Sequence, residues 1–318
     1  MGSIPYVVED CHGIVQIFSD GSIHRHENID FSHFQVIDDG SVFWKDYCYD
    51  KKNNLSLRIY TPKTATKLPV IYFLHGGGFC LGSFKWPNFH NCCLRLASAL
   101  HVIVVAPDYR LAPEHRLPAA VDDSLGALFW LQMAPKLGGQ PSVDFFGFDR
   151  FFVIGDSSGG NIAHHLAVRL GPSSPELGPI KIRGYVMLAP FFGGTERTAS
   201  EVEGLPEKVL TVELLDTFWR MSLPVGNTMD HPFANPFGSE SRSLDLIKLD
   251  PILVMVGGDE IMKDRVKLYA ERLKEVGKTA HYVEFKGKQH GFFTHEPYSD
   301  VSESVLNLIK DFMSEQSR

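Results

Sequence analysis

Cysteine is scarce in this chain and its placement is irregular. The 318 residues include five cysteines, an odd and scattered set made of Cys11, Cys48, Cys80, Cys92 and Cys93. No Cys-x-x-Cys pair occurs, so the closely spaced thiolates of a structural zinc site are missing. Scattered thiols are typical of reduced cytosolic proteins. We therefore expect no metal site, and we expect the protein in the cytoplasm, with the nucleus as a second location.

The chain also has no long apolar run and no excess of basic residues, and we expect no leader sequence. No run approaches the ~20 apolar residues that cross a bilayer. Residues 1–6 are not basic and then apolar, as a secretory signal is, and Tyr6 stands where a myristoylation signal requires Ser or Thr. The formal net charge of −7 disfavours a nucleic-acid partner, which requires a basic face. We expect neither a membrane nor a nucleic-acid partner.

No internal repeat, low-complexity tract or linker divides the chain. We therefore predict a single domain over residues 1–318, a length that α/β folds reach around one sheet. Residues 1–40 are predicted to be an N-terminal extension packed on the main body, with a partly ordered tail as the alternative. The loop-rich, aromatic segment at about 190–250 is predicted to be a cap insertion over the active site. A satellite core that binds no ligand is the alternative for this segment.

Short continuous apolar runs are what the chain does have, and they are typical of buried parallel strands. They occupy residues 68–74, 101–106, 151–154, 182–188, 251–258 and 280–285. Helical segments lie between several of them, and residues 45–49 and 55–60 alternate like antiparallel edge strands. The order predicts an α/β fold with a mostly parallel central sheet flanked by helices.

A Gly-x-Ser-x-Gly motif follows the run at 151–154. Ser157 lies between Gly155 and Gly159, and the sequence continues into a segment that can be helical. A strand, a sharp turn that carries one serine, and a helix are the context in which this motif presents a nucleophile. Ser157 would stand at a helix N-terminus, where free backbone N–H groups stabilise negative charge. A plain tight turn is the alternative.

A glycine-rich segment, His75-Gly76-Gly77-Gly78, ends the run at 68–74. Three glycines after a buried strand leave backbone N–H groups unobstructed, as an oxyanion hole requires. A phosphate-binding loop is disfavoured because no Gly-Lys-Ser/Thr follows. A purely structural turn is the remaining alternative.

Acidic residues and a histidine follow the last two predicted strands. Asp259 and Glu260 follow the run at 251–258, and His290 follows the run at 280–285. A serine needs an imidazole to take its proton, and the imidazole needs a carboxylate to hold its tautomer. The order nucleophile, acid, base is that of the α/β-hydrolases. The residues alone leave both acids open, and His164 and His165 are interpreted as packing or surface residues.

Three motifs together resemble one branch of that fold. They are His75-Gly76-Gly77-Gly78, Tyr109-Arg110-Leu111-Ala112-Pro113-Glu114 and Gly155-Asp156-Ser157-Ser158-Gly159-Gly160-Asn161. From about residue 42 to the end, the chain resembles the hormone-sensitive-lipase-like α/β-hydrolases and, within them, the plant carboxylesterases. Residues 86–91, 190–194 and 234–238 resemble the subgroup that hydrolyses strigolactones.

The resemblance implies a serine carboxylesterase without cofactor or metal. Its substrates would be esters or lactones of small apolar molecules, and strigolactone-type hormones would be inactivated by hydrolysis. Ser157 would be the nucleophile and His290 the base. The backbone N–H groups of Gly77, Gly78 and Ser158 would bind the oxyanion.

The third member of the triad departs from the family's pattern. The family has Asp four residues before a second Asp, and counting back from Asp264 gives Glu260. We therefore prefer Glu260 as the acid and keep Asp259 as the rival.

Two other functions are compatible with the same resemblance. The gibberellin receptor lacks the catalytic histidine and uses its N-terminal extension as a lid, whereas His290 here favours chemistry. Dehydratase or cyclase relatives replace the serine or reshape the oxyanion region, which the presence of Ser157 disfavours. Apolar patches on the extension or the insertion leave a homodimer open.

Overall fold

The structure is a computed structural model of the chain. It describes residues 4–26, 29–32, 34–63, 66–133, 144–204, 207 and 210–317. Parts of the predicted extension (1–3, 27–28 and 33) and of the predicted insertion (205–206 and 208–209) lie outside these residues.

The described strands follow the predicted runs closely. They are β1 (Val7–Cys11), β2 (Val15–Phe18), β3 (Ile23–Arg25), β4 (Val42–Asp50), β5 (Leu55–Pro62), β6 (Leu68–Leu74), β7 (Ile103–Pro107), β8 (Phe146–Asp156), β9 (Ile182–Leu188), β10 (Ile252–Gly257) and β11 (Ala280–Phe285). The helices are α1 (Pro87–Leu100), α2 (Ala119–Met133), α3 (Ser158–Leu170), α4 (Ala199–Glu203), α5 (Val212–Ser222), α6 (Lys263–Glu275), α7 (Phe292–His295) and α8 (Asp300–Gln316), with a 3-10 turn at Pro175–Leu177.

Eight strands form one sheet in the order β11-β10-β9-β8-β6-β7-β5-β4. The pairs of β5 with β4 and with β7 are antiparallel, and the other pairs are parallel. The predicted mostly parallel α/β fold is therefore confirmed. The register aligns Leu74 with Gly155 and Gly257 with Phe285, so the carboxyl ends of β6, β8, β10 and β11 meet at one edge of the sheet.

Both faces of this sheet are covered, which explains the continuous apolar runs. Along β6, Val70 and Tyr72 face a core that includes α2, α3 and α6 residues. The alternate residues Ile71 and Phe73 face a second core, which α1 and α8 complete. A strand buried on both faces needs apolar side chains at every position.

The first helix begins earlier than the apolar pattern predicts. The pattern covers residues 94–100, whereas α1 begins at Pro87, a residue whose ring suits the first helical turn. The added turns carry buried polar side chains, which hide the helical period. Asn91 is one of them: its side chain accepts the N–H of Ile37 at 2.9 Å and donates to the carbonyl oxygen of Gln35 at 2.8 Å.

The sequence at 259–265 favours a helix that begins at the acidic pair, but the helix begins later. α6 begins at Lys263, and Glu260 lies in the turn between β10 and α6. A backbone bond stabilises this turn, since the Lys263 N–H donates to the carbonyl oxygen of Glu260 at 3.2 Å. The position of Glu260 in a turn gives its side chain access to the loop after β11.

In the described residues, no helix is long and apolar enough to span a membrane.

The described part of the extension is joined to the main body. β1, β2 and β3 form a small antiparallel sheet, and a turn at Asp20-Gly21 connects β2 to β3. Arg25 donates to the carbonyl oxygens of Cys80 at 2.7 Å and Ala112 at 2.8 Å. It also pairs with Glu114 at 2.7 Å. Arg25 therefore connects the small sheet to the segment that follows the glycine loop.

Candidate active site

Ser157 occupies a strained turn between β8 and α3. Its backbone has φ 52° and ψ −115°, and a non-glycine residue in such a region costs about 1–3 kcal/mol. The Ser157 N–H donates to the carbonyl oxygen of Leu188 at 2.8 Å, and the Phe191 N–H donates to the carbonyl oxygen of Ser157 at 2.9 Å. These bonds hold the turn against the end of β9 and set Ser157 at the N-terminus of α3, as predicted.

The glycine loop lies directly against this serine. A Cβ on Gly76 would be 3.2 Å from Ser157 Cβ, so the two segments are in van der Waals contact. Gly78 has φ +59°, and a Cβ there would meet the Phe218 ring at 2.3 Å. Only glycine fits at this point, because the ring of Phe218 on α5 covers the loop.

The predicted oxyanion donors are available for a ligand. Within the described chain, the backbone N–H groups of Gly77, Gly78 and Ser158 donate no hydrogen bond. The first N–H groups of a helix have no partner within the helix, which leaves that of Ser158 free at the start of α3. The three donors lie in the two segments that meet at Ser157, where an oxyanion would form.

His75 and Tyr109 pack against each other at the start of the glycine loop. Their rings stack with centroids 4.2 Å apart, and the Tyr109 hydroxyl donates to the carbonyl oxygen of His75 at 2.8 Å. Burial lowers the pKa of His75 to about 4, so its ring is neutral at physiological pH. The segment at 107–120, which carries Tyr109, therefore contacts the glycine loop directly.

The structure brings Glu260, and not Asp259, to His290. His290 Nδ1 lies 2.7 Å from Glu260 Oε1, and Glu260 Oε2 accepts the Gly257 N–H at 3.1 Å. Glu260 is 2% exposed. Asp259 donates its backbone N–H to the carbonyl oxygen of Lys288 at 3.0 Å, whereas the carboxylate bonded to His290 is that of Glu260.

The loops that carry Ser157 and His290 are joined by Thr294. Its hydroxyl donates to Gly291 O at 3.2 Å and lies 3.4 Å from Asp156 Oδ2. Asp156 precedes Ser157, and Gly291 follows His290. Ser157 Oγ makes no hydrogen bond with any described residue. Catalytic hydrogen bonds are often long in free enzymes and shorten when substrate is bound.

Negative charges surround the imidazole of His290. Burial lowers its pKa, but the contact with Glu260 and the charges of Asp156 and Glu207 more than offset this and raise it to about 9. The neutral imidazole, which is the form that accepts a proton, therefore becomes the major form only as the pH rises through that value. Burial also raises the pKa of Asp156 to about 6.

An aromatic wall borders the glycine loop. Phe191 stacks on Trp219 with ring centroids 4.2 Å apart, and both Phe79 and Phe218 contact this pair. Asn161 on α3 holds the wall's loops through bonds to the carbonyl oxygens of Phe191 and Phe233. The insertion thus packs buried aromatic side chains beside the oxyanion donors.

His164 and His165 serve packing, one of the two roles expected for them. His164 Nδ1 lies 2.9 Å from the Tyr269 hydroxyl, and burial lowers the pKa of both histidines.

A separate cleft of about 450 Å³ is lined by residues of the insertion and of α6, including Arg197, Asn235 and Tyr269. None of the predicted catalytic residues lines it, so we assign no substrate to this cleft.

Sequence reasoning missed Glu207. This residue comes from the insertion, and its carboxylate accepts backbone N–H groups from Ile261 and His290. No motif surrounds Glu207, and its partners lie 54 and 83 residues away. No local signal in the sequence indicates the role of Glu207.

In the described residues, no group of three His, Cys, Asp or Glu side chains is placed to hold a metal ion.

Comparison with known proteins identifies the family. A sequence model of the α/β-hydrolase fold matches residues 71–294, and the chain belongs to this family. Carboxylesterase 20 of Arabidopsis thaliana is 37% identical over 284 residues, which are 85% of this chain and 84% of that protein. The gibberellin receptor GID1C of the same plant is 34% identical over 288 residues, which are 86% of this chain and 81% of the receptor.

Solved structures of esterases share the architecture. The thermostable carboxylesterase EstE1, cloned from a metagenomic library, superposes with a TM-score of 0.73 at 31% identity, covering 87% of this chain and 90% of that one. An esterase of Pyrobaculum calidifontis superposes with a TM-score of 0.72 at 28% identity, covering 90% and 87%. These likenesses confirm the predicted class: the chain is a carboxylic-ester hydrolase related to the plant carboxylesterases.

Proposed function

We propose that this carboxylesterase uses Ser157 as its nucleophile, His290 as the general base and Glu260 as the acid that orients the base. The observation that carries the proposal is the 2.7 Å contact between His290 Nδ1 and Glu260 Oε1. This contact holds the proton on Nδ1 and leaves Nε2 as the acceptor for the serine proton. Asp259, the rival acid, makes no such contact.

The reaction follows from these roles. Ser157 Oγ attacks the carbonyl carbon of an ester or lactone while His290 Nε2 takes the hydroxyl proton. The N–H groups of Gly77, Gly78 and Ser158 stabilise the oxyanion of the tetrahedral intermediate. The intermediate then breaks its bond to the alcohol oxygen, which receives the proton from His290. Water repeats the sequence on the acyl-enzyme, releasing the acid and restoring Ser157.

We further propose that the substrate is a small apolar ester or lactone of the strigolactone type. The aromatic wall formed by Phe79, Phe191, Phe218 and Trp219 supports an apolar group beside the reacting carbonyl. The segments at 190–194 and 234–238, which resemble the strigolactone-hydrolysing subgroup, meet next to this wall, since the Gly193 N–H donates to the carbonyl oxygen of Ala234 at 2.8 Å.

A substrate panel tests both parts of the proposal. Wild-type protein and Ser157→Ala are incubated with several strigolactones and with simple 4-nitrophenyl esters, and the products are identified by mass spectrometry. We expect hydrolysis by the wild type and a loss of several orders of magnitude in Ser157→Ala. Equal turnover by the two proteins would contradict the assignment of Ser157. Hydrolysis of the 4-nitrophenyl esters but of none of the strigolactones would contradict the proposal of a strigolactone-type substrate.

A receptor function is the second candidate, since gibberellin receptors are among the relatives. The same panel separates it from catalysis. A receptor would bind a hormone with similar affinity in the wild type and in Ser157→Ala and would release no product. The His290–Glu260 contact favours chemistry, because a binding site alone does not need an oriented base.

A further inference from the structure

The two residues of the His290–Glu260 pair lie on separate loops. Glu260 follows β10 and His290 follows β11, and neither belongs to a helix or strand. The distance between the two side chains therefore depends on what joins the loops. One backbone bond does so directly, from the Asp259 N–H to the carbonyl oxygen of Lys288.

A third carboxylate joins the same loops, next to Glu260 on one loop and at His290 on the other. Glu207 Oε1 accepts the N–H of Ile261, next to Glu260, at 2.5 Å. Glu207 Oε2 accepts the N–H of His290 at 3.0 Å. One rigid, planar group thus holds the backbone of the acid's neighbour and the backbone of the base. Charge-assisted bonds of this kind are stronger than those between neutral groups.

The geometry points to Glu207 as a positioning residue that fixes the separation of Glu260 and His290. This inference rests on the proposed function, because it assigns a role in the same triad. The insertion between β9 and β10, which carries Glu207, then contributes to the catalytic machinery as well as to the aromatic wall.

Glu207 also contributes charge near the imidazole. The titratable groups that face His290 are Glu260, Asp156, Glu207 and His295. The three carboxylates favour the protonated ring. Loss of the Glu207 charge therefore lowers the pKa of His290, and the ascending limb of the pH–rate profile moves to lower pH.

Three variants separate the role of geometry from that of charge. In Glu207→Gln, the amide NH₂ faces one of the backbone N–H groups, so a loop bond and the charge are lost together. Glu207→Asp keeps the charge, but its shorter side chain cannot reach both loops. Glu203→Gln is the matched control, because Glu203 is an exposed acid at the end of α4 in the same insertion.

Turnover per intact site is measured against pH, with sites counted by a fluorophosphonate that labels the active serine. In Glu207→Gln we expect a plateau kcat at least about tenfold lower and an ascending limb at lower pH. In Glu207→Asp the plateau kcat falls, and the ascending limb stays at a pH near that of the wild type. A merely structural role would lower the number of intact sites and leave the limb in place.

The outcome distinguishes this inference from the proposed function. If Ser157→Ala keeps wild-type turnover, the proposed function is wrong. The other result is that Ser157 proves essential while Glu207→Gln matches Glu203→Gln in plateau kcat and in the pH of its ascending limb. In that case the inference about Glu207 is wrong and the proposed triad is unaffected.

Discussion

At the scale of single residues, the site depends on a few side chains held in unusual positions. Ser157 adopts φ 52°, a conformation that turns of this kind maintain for a nucleophile at the cost of backbone strain. Glu260 is buried and bonded to both a backbone N–H and the imidazole. Glu260, which has one more methylene than the Asp of the family's pattern, lies in the turn before α6.

The choice between the two acids has a direct kinetic test. Glu260→Gln removes the charge that stabilises the imidazolium while keeping the side chain's shape. We expect a kcat loss of roughly 10³- to 10⁴-fold, because the protonated base forms in the rate-limiting steps. Asp259→Asn is the matched control and should retain near-normal kcat. Near-normal kcat in the first variant with a collapse in the second would reverse the assignment.

At the scale of elements, the site lies where four parallel strands end and two accessory segments meet them. The glycine loop follows β6, and β8, β10 and β11 precede Ser157, Glu260 and His290. α5 covers the loop with Phe218. Arg25 on β3 donates to the carbonyl oxygens of Cys80 and Ala112. The Ala112 N–H in turn donates to Phe79 O at 2.9 Å, so Arg25 supports the loop that carries Gly77 and Gly78.

The connection through Arg25 predicts a catalytic effect from outside the pocket. Arg25→Gln removes the Glu114 pair and at least one carbonyl contact. We expect kcat to fall by about tenfold, less than the 10²–10³ that follows loss of an oxyanion donor, because the donors are displaced and not removed. Steady-state kinetics on 4-nitrophenyl acetate measures this effect.

Glu9→Gln provides the control for that prediction. Glu9 pairs with Arg220 on α5 at 2.5 Å, so this variant loosens the small sheet without touching the carbonyl oxygens near the glycine loop. Its kcat should stay at the wild-type value. Equal losses in the two variants would show that Arg25 acts through general packing of the extension.

At the scale of the whole molecule, much of the architecture follows from local sequence patterns. Strands buried on both faces read as unbroken apolar runs, so β6, β9, β10 and β11 were predictable with close bounds. The order of Ser157, the acids and His290 along the chain indicated which strand ends meet. The first turns of α1 were not predictable, since their buried polar residues find partners only in the folded chain.

Long-range contacts account for the parts of the site that the sequence did not reveal. Glu207 and Arg25 act on residues that are distant in the chain, and nothing in their neighbours predicts those contacts. The residues alone left both Asp259 and Glu260 open, and only the family's spacing from Asp264 favoured Glu260, because the outcome depends on where a turn ends and a helix begins.

The covalent state of Ser157 tests the central claim most directly. Wild-type protein is treated with 4-nitrophenyl dimethylcarbamate, whose carbamoyl-enzyme hydrolyses slowly, and the modified residue is located by peptide mass spectrometry. The account predicts release of one equivalent of 4-nitrophenol and a single carbamoyl group on Ser157, with neither in Ser157→Ala. A carbamoyl group on another residue, or an unmodified protein that still hydrolyses esters, would contradict it.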